Sequence, residues 1–591
     1  MNTAEYLINK IYELGVTDFF CLPGEYNLDF LNSIIINPHT KLINCTNSSN
    51  AAFAADGYAR QKGFGTVITS YGASELDAIS AIAGSLAENI PVINIVGIPP
   101  FDSCTCQGNN KNNGIYKYFE IYKNVIETAA FLNKDNAKIE IDRVLKILVK
   151  ERKPVYIAIP ENIAKLQISD KQTDYDWISS PEELSTAVSL ITDIINKSKN
   201  PIIIADSTIK NFDSKSEFVE FVNKSGIPVV NFFNNSDLIN SDNQYYAGIY
   251  LLAPENLQTI NLVENSDCII IVGSRSNNPN SVDDSVFNRF YAEKFTNTKF
   301  NPNTEAKIKI CGNHTFIEGK IYDNIKMSDI LSELTKKINH NNYEFEKPKI
   351  GYEPITPTKV KLTSDYIYSR LQEFLKGEDI VIANGGTVPF GIARMRFPEN
   401  IAIHLQHNWQ SAGWAVPAAF GAAIANPKAR VILITGDGAH QASALEIGNI
   451  CKFGLKPIIV VINNSGYSYN RLINASDDKQ YNDIMQMDYA KFARTFKYDI
   501  WATKVETDED FDKALRITQI MDKLCYIEAV IDKYDIPTIL KELCNNNNNT
   551  GISSNNSYKE LNSETGEDNF SYTYDNNYET SVHLSLKKYE E

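Results

Sequence analysis

Residues 431–466 constrain the fold more than any other part of the chain. Val431 to Ile434 is a short apolar run that stops at a Gly436-Asp437-Gly438 corner. An amphipathic stretch follows, and a second apolar run, Pro457 to Ile462, ends in Asn463-Asn464. Two buried strands separated by a helix-length segment read as a strand–loop–helix–strand unit of a parallel sheet. Such sheets gather ligands at the carboxyl ends of their strands. The glycines let backbone N–H groups approach an anion closely. Asp437 and Asn464 offer hard oxygens, the ligand type that Mg²⁺ prefers.

Gly-Asp-Gly alone is ordinary turn chemistry. Followed after 24 residues by Asn-Asn, with an apolar strand before each, it resembles the thiamine diphosphate (ThDP) fingerprint. The stretches PGEYNLDFL (23–31), NAAFAADGYAR (50–60), ELDAISAIAGSLAENIPVINIVGIP (75–99) and GLKPIIVVINNSGYS (454–468) resemble the pyruvate decarboxylase and related 2-oxo acid decarboxylase family. The similarity runs in order from about residue 3 to about residue 543. The resemblance implies ThDP and Mg²⁺ as cofactors and a small 2-oxo acid as substrate. It also implies active sites built between two subunits, in a dimer or a dimer of dimers.

A chain of 591 residues exceeds a single core, and about three domains are expected. Residues 1–180 alternate helical and strand patterns, with strands over Asp18–Cys21, Gly65–Ser70, Val92–Val96 and Val155–Ile159, the mark of an α/β unit with a parallel sheet. A second unit spans 181–340, with strands at Pro201–Ala205, Pro228–Phe233 and Cys268–Gly273. A polar, proline-bearing linker (341–363) leads to a third unit, 364–544, that holds Asp437 and Asn464. The fold class is therefore α/β: three doubly wound parallel-sheet domains, matching the family's pyrimidine, central and diphosphate domains. Residues 545–591 begin with an Asn545–Asn549 homopolymer and stay polar and acidic, so a disordered tail is expected. It reads as a neutral extension, or as a protein-binding segment through its aromatic and acidic mix.

The formal charge of −16 argues against direct nucleic-acid binding, which calls for a basic stripe. No signal peptide or membrane-spanning run is visible, so a cytoplasmic protein is expected, or a nuclear one if regulatory. The nine cysteines are scattered; Cys104 and Cys106 form a C-x-C without a second ligand cluster.

The resemblance assigns Mg²⁺ to Asp437, the Asn464 side chain and the Gly466 carbonyl. Thr387 matches a threonine that hydrogen-bonds the diphosphate, and Gly438 offers its N–H at a helix start. Ala439 replaces a serine usual after Gly-Asp-Gly, the loss of one hydroxyl donor. Gln410, Ser411 and Ala412 align with a segment that receives the aminopyrimidine; Ala412 is small where a bulky aliphatic normally bends the cofactor. Tyr467, Ser468 and Tyr469 complete the expected cofactor-binding set.

The family's proton-transfer groups are another matter. A buried glutamate sits in the family's N-E-L-N-A-A; here Asn47-Ser48-Ser49-Asn50-Ala51-Ala52 puts Ser48 in its place. A hydroxyl can hydrogen-bond the aminopyrimidine N1′ but shares no acidic proton near neutrality, and loss of a positioned acid costs about 10²–10⁴-fold. The family's paired histidines fall in the Gln107–Gly114 loop, and no histidine lies between 40 and 313. Asn470 replaces a glutamate. Only Glu25 keeps a carboxylate, one methylene longer than the family's aspartate, and it is the one catalytic candidate. His404, His407 and His440 are the remaining candidate acids, against a reading as surface or cap histidines.

Three readings follow. The chain is a ThDP- and Mg²⁺-binding pseudoenzyme, regulatory or a partner subunit to itself or to an active relative. Or it is an active decarboxylase or carboligase with an altered proton route. Or it is a structural partner without cofactor, which retained Asp437 and Asn464 speak against.

Overall fold

The computed structural model describes residues 1–100, 114–169, 175–232, 235–250, 256–274, 306–406, 408–473 and 479–542. These lie within one compact unit, Met1–Asn549. Segment 545–591, the loop from Gln107 to Asn113, the Cys104/Cys106 pair and His407 lie outside the described residues.

Three sheets carry the chain. The first has six parallel strands in the order Lys41–Asn44, Asp18–Cys21, Gly65–Ser70, Val92–Ile98, Val155–Pro160, Thr128–Phe131. The third repeats that order: Ala402–His404, Ile380–Asn384, Val431–Gly436, Ile458–Asn463, Cys525–Val530, Trp501–Val505, again all parallel. Inner strands such as Val431–Ile434 are buried residue after residue, as expected of sheets covered by helices on both faces. The apolar runs read from sequence land on these strands within one or two residues.

The central sheet departs from a purely parallel reading. Its five parallel strands, Ala306–Cys311, Cys268–Val272, Pro201–Ala205, Val229–Phe232 and Tyr246–Tyr250, continue at one edge into antiparallel His314–Ile317 and Lys320–Asp323. Gly312, with φ +62°, opens the first hairpin and Gly319, with φ +80°, the second. These short edge strands carry no long apolar run, so the sequence did not announce them. Residues 339–360 contain neither helix nor strand.

Within the chain the first and third units meet through two small-residue helices, Ser48–Lys62 and Ala415–Ala425. A Cβ on Gly421 would lie 1.8 Å from the Ala54 carbonyl oxygen, and one on Gly57 would lie 2.1 Å from the Ala418 oxygen. Buried Trp414 Nε1 donates to Asp56 (2.9 Å), which also pairs with Arg60 (2.8 Å). Glu446, fully buried, accepts from Thr46 N (3.1 Å) and Asn50 Nδ2 (2.8 Å) and so anchors the start of the first helix.

Candidate active site

In the third sheet the chain leaves Ile380–Asn384 for one edge and returns to Val431–Gly436 on the other side. That reversal is a topological switch point, where open α/β sheets bind ligands. A cavity of about 170 Å³ opens there. Its walls are the Asn384–Pro389 turn, Gln406, Gln410 and Ala412, the Gly436–Ala439 corner, and Asn464 with Gly466–Asn470. Thr387, Gln410, Ala412, Asp437, Gly438, Ala439, Asn464, Gly466, Tyr467, Ser468 and Tyr469 are thus brought together as the sequence suggested. Ser411 stands behind the wall: its N–H donates to Gln406 Oε1 (2.8 Å) and its carbonyl accepts from Asn384 Nδ2 (2.7 Å). Gln406, Asn384 and the Gly385-Gly386 pair are lining residues that sequence reasoning missed. The glycine doublet at a strand end was the available signal. Gly385 has φ +116°, and a Cβ there would lie 2.8 Å from Gly436 N.

Asp437 is 1% exposed and forms no ion pair among the described residues. Burial pushes its carboxyl up to about 6, opposed by N–H donors from Gly438 and Gly466. Its Oδ1 accepts from Gly438 N (2.7 Å) and its Oδ2 from Gly466 N (3.0 Å). The Gly438 N–H expected to face phosphate is therefore engaged by Asp437 here.

The Asn464 amide decides what this corner can hold. One end lies 2.9 Å from the Gly466 carbonyl oxygen and 3.3 Å from Asp437 Oδ1; the other lies 2.9 Å from Ser468 Oγ. Ser468 has a single hydroxyl proton, which it donates to the Lys533 carbonyl (2.8 Å). With that bond in place Ser468 Oγ accepts from the amide NH₂ and the amide oxygen faces the other two oxygens; turned over, the amide would instead donate to Gly466 O and Asp437 Oδ1 and accept from Ser468 Oγ. In the first orientation three oxygens converge with no proton between them, the arrangement a cation would select. Octahedral Mg²⁺ with bonds of about 2.1 Å has ligand–ligand edges of about 3.0 Å, close to the spacing found. The corner fits a hard divalent cation.

Two other expected positions lie on the first unit, at the carboxyl end of its own sheet. Asn47 caps the Ser48–Lys62 helix by accepting from Asn50 N (2.7 Å), which fixes Ser48 at its first turn. Ser48 is fully buried, with its Oγ 2.8 Å from Ser74 Oγ. Ser74 in turn accepts from Ser70 N (3.2 Å). Glu25, in a short 3₁₀ turn after the first strand, is exposed. Neither Ser48 nor Glu25 lines the cavity of its own chain.

His404 and His440 are neither surface nor cap residues. His440 is fully buried with Nε2 2.7 Å from Tyr526 OH, and burial takes its pKa down to about 3. His404 is 6% exposed, lies 2.5 Å from Gln61 Nε2, and is held well below the usual imidazole range by burial and by Lys210 and Arg60. Both are neutral at pH 7 and neither lines the cavity, so neither is a replacement acid.

Comparison with known proteins bears on these features. Residues 1–117 match the thiamine pyrophosphate enzyme N-terminal TPP binding domain, 188–321 the central domain, and 385–529 the C-terminal TPP binding domain. The chain is 30% identical over 556 residues to pyruvate decarboxylase isozyme 2 of Saccharomyces cerevisiae, spanning 90% of this chain and 96% of that one. The chain belongs to the ThDP-dependent 2-oxo acid decarboxylase family. It is 29% identical to pyruvate decarboxylase of Kluyveromyces lactis (91% and 96% of the two chains), and 27% identical to an alpha-keto-acid decarboxylase of Mycobacterium avium (91% and 95%). ThDP is the cofactor of this decarboxylase family and Mg²⁺ its usual metal, and the oxygen cluster at Asp437 suits that pair. Among the described residues no helix is long and apolar enough to cross a membrane.

Proposed function

We propose that this protein binds ThDP and Mg²⁺ as a homo-oligomer and has little or no decarboxylase turnover, acting as a cofactor-responsive regulatory or partner subunit. The observation that carries this reading is Ser48: a buried hydroxyl paired with a second hydroxyl, Ser74, stands where an acid is required. Neither group gives up a proton near neutral pH. Among the described residues lining the cavity, Asp437 is the one carboxylate and there is no histidine. Asp437 serves the metal, and Asn470 contributes an amide without acidity.

Asp437, the Asn464 amide oxygen and the Gly466 carbonyl would hold Mg²⁺. Thr387 would face the diphosphate, and Gln410, Ala412 and Tyr467 to Tyr469 would form the wall around the ring system, with Ser411 behind it. When bound, ThDP supplies the carbon nucleophile and the electron sink for decarboxylation of a 2-oxo acid. Ser48 would accept or donate a hydrogen bond at N1′ without changing its charge. Because residues 383–470 alone line the cavity, the first unit of a second copy would supply Ser48 and Glu25. A cytoplasmic location suits a chain with this composition.

The relatives' own names favour a second reading, an active decarboxylase or carboligase with another proton route. Glu25 is then the donor, since His404 and His440 are buried and neutral. Calorimetric titration with ThDP and Mg²⁺ beside turnover assays with pyruvate and branched 2-oxo acids separates the two. Binding with turnover far below one per second is expected. Turnover at about one per second or faster, ordinary enzyme territory, would overturn the pseudoenzyme reading.

A further inference from the structure

Behind the oxygen cluster lies a second buried carboxylate that no part of the reading above uses. Glu528, on Cys525–Val530, is 1% exposed and forms no ion pair among the described residues. Lys504, in register with it on the neighbouring strand, reaches to Glu506 instead (2.7 Å). Glu528 Oε1 accepts from Asn463 Nδ2 (2.9 Å) and Oε2 from Ala490 N (3.0 Å). Asn463 passes the constraint on: its Oδ1 accepts from Ser465 N (3.3 Å). That bond spans a turn of unusual shape, with φ +58° at Ser465 and +129° at Gly466. A non-glycine residue in the left-handed region persists only where its surroundings hold it.

The other backbone groups of the turn are also spoken for. Asn463 O accepts from Ile531 N (3.0 Å), while Asn464 O and Ser465 O accept from the Arg471 guanidinium (3.4 and 2.9 Å). Gly466 O accepts from Ser468 N (3.1 Å) and still faces the Asn464 amide oxygen and Asp437. The turn is thus clamped from two sides so that one carbonyl and one amide oxygen point at Asp437. Asp437 and Glu528 are both buried and form no ion pair among the described residues, and a divalent cation at Asp437 would offset part of the cost of burying negative charge there.

We propose that Glu528 is a positioning residue for the metal: through the Asn463 amide it holds the 463–466 turn so that the Asn464 and Gly466 oxygens meet Mg²⁺ beside Asp437. This rests on the Mg²⁺–ThDP reading of the cavity. Partners one layer behind metal ligands typically change affinity by about 10–100-fold when removed.

The full-length protein, Glu528→Gln, Asn463→Ala and the double variant are titrated with Mg²⁺ at saturating ThDP by calorimetry, with unfolding midpoints measured without cofactor. Each single variant is expected to weaken Mg²⁺ binding about 10–100-fold, and the double no more than the worse single, because the two act in series. A purely structural Glu528 would lower the cofactor-free midpoint and leave Mg²⁺ affinity within threefold of wild type, which would overturn the proposal. Independent, multiplying losses would overturn it too. If Glu528→Gln does not fold, Asn463→Ala decides alone, and unchanged Mg²⁺ affinity refutes the relay. Wild type that binds no Mg²⁺–ThDP would sink both this proposal and the reading beneath it; wild type that binds, with variants unchanged, sinks only the proposal.

Discussion

Replacing Ser48 by glutamate puts an acid where the decarboxylase family keeps one, and the surroundings set what should follow. The Ser48–Ser74 hydrogen bond, 2.8 Å long and buried, is worth about 1 kcal/mol and is lost. The new carboxyl enters a position with no solvent exposure, and each unit by which burial raises its pKa costs about 1.4 kcal/mol at neutral pH. Ser48→Glu without cofactor should therefore be less stable by roughly 2–4 kcal/mol. Bound ThDP should recover much of that, because a ring nitrogen becomes the partner of the acid. Hydrogen–deuterium exchange at C2 of bound ThDP should accelerate by about 10²-fold or more, the scale of a positioned acid/base group. Steady-state decarboxylation should stay absent, because Asn470 and the cavity lining still provide no second acid. Groups that act as a unit are not additive, so one restored member does not restore turnover. Quenched-exchange NMR reads the first effect and a product assay the second. Unchanged C2 exchange with ThDP demonstrably bound would refute the placement of Ser48 at the cofactor ring. Turnover near one per second from this single change would refute the claim that the rest of the set is missing.

Asp437→Ala should abolish ThDP-dependent thermal stabilisation, which for wild type at a hundredfold excess over Kd is about 2.7 kcal/mol; a persistent cofactor-dependent shift would contradict the oxygen-cluster assignment. Gly421→Ala drives a Cβ to 1.8 Å from the Ala54 carbonyl oxygen. It should cost roughly 1–3 kcal/mol or prevent folding, and an unchanged unfolding midpoint would count against the close helix contact. His440 has a folded pKa of about 3 against about 6.5 when unfolded, so its contribution is complete above pH 6.5 and lost as pH falls from 6.5 towards 3. Wild type should lose about 2 kcal/mol more than His440→Phe between pH 7 and pH 5 in urea titrations, and parallel profiles would rule this out. Light scattering at micromolar concentration with cofactor should show at least a dimer; a strict monomer would mean that Ser48 and Glu25 never meet the cavity.

The strands and the residues of the Asp437 corner were legible in the sequence because their signals are contiguous. Pro201–Ala205 reads as a strand from an unbroken apolar run and Gly65–Ser70 from a short β-branched one, Thr66 to Thr69, and the structure has those bounds. Asp437 and Asn464 could be named because each follows directly on such a run, and a parallel sheet brings the ends of adjacent strands together. The antiparallel edge at 314–323 was not legible, since short edge strands need neither apolar runs nor strong alternation. Side-chain partnership escaped the sequence for a different reason: it joins residues far apart in the chain. The Ser48–Ser74 pair, the burial of His440 against Tyr526, the Ser468–Lys533 bond that orients the Asn464 amide, and the hold of Glu528 on Asn463 each span 26 to 86 positions. Local spacing determines which groups are present at the carboxyl ends of the strands. Only the packed tertiary structure decides which of them are desolvated, which protons are already committed, and therefore which oxygens are left to meet a cation.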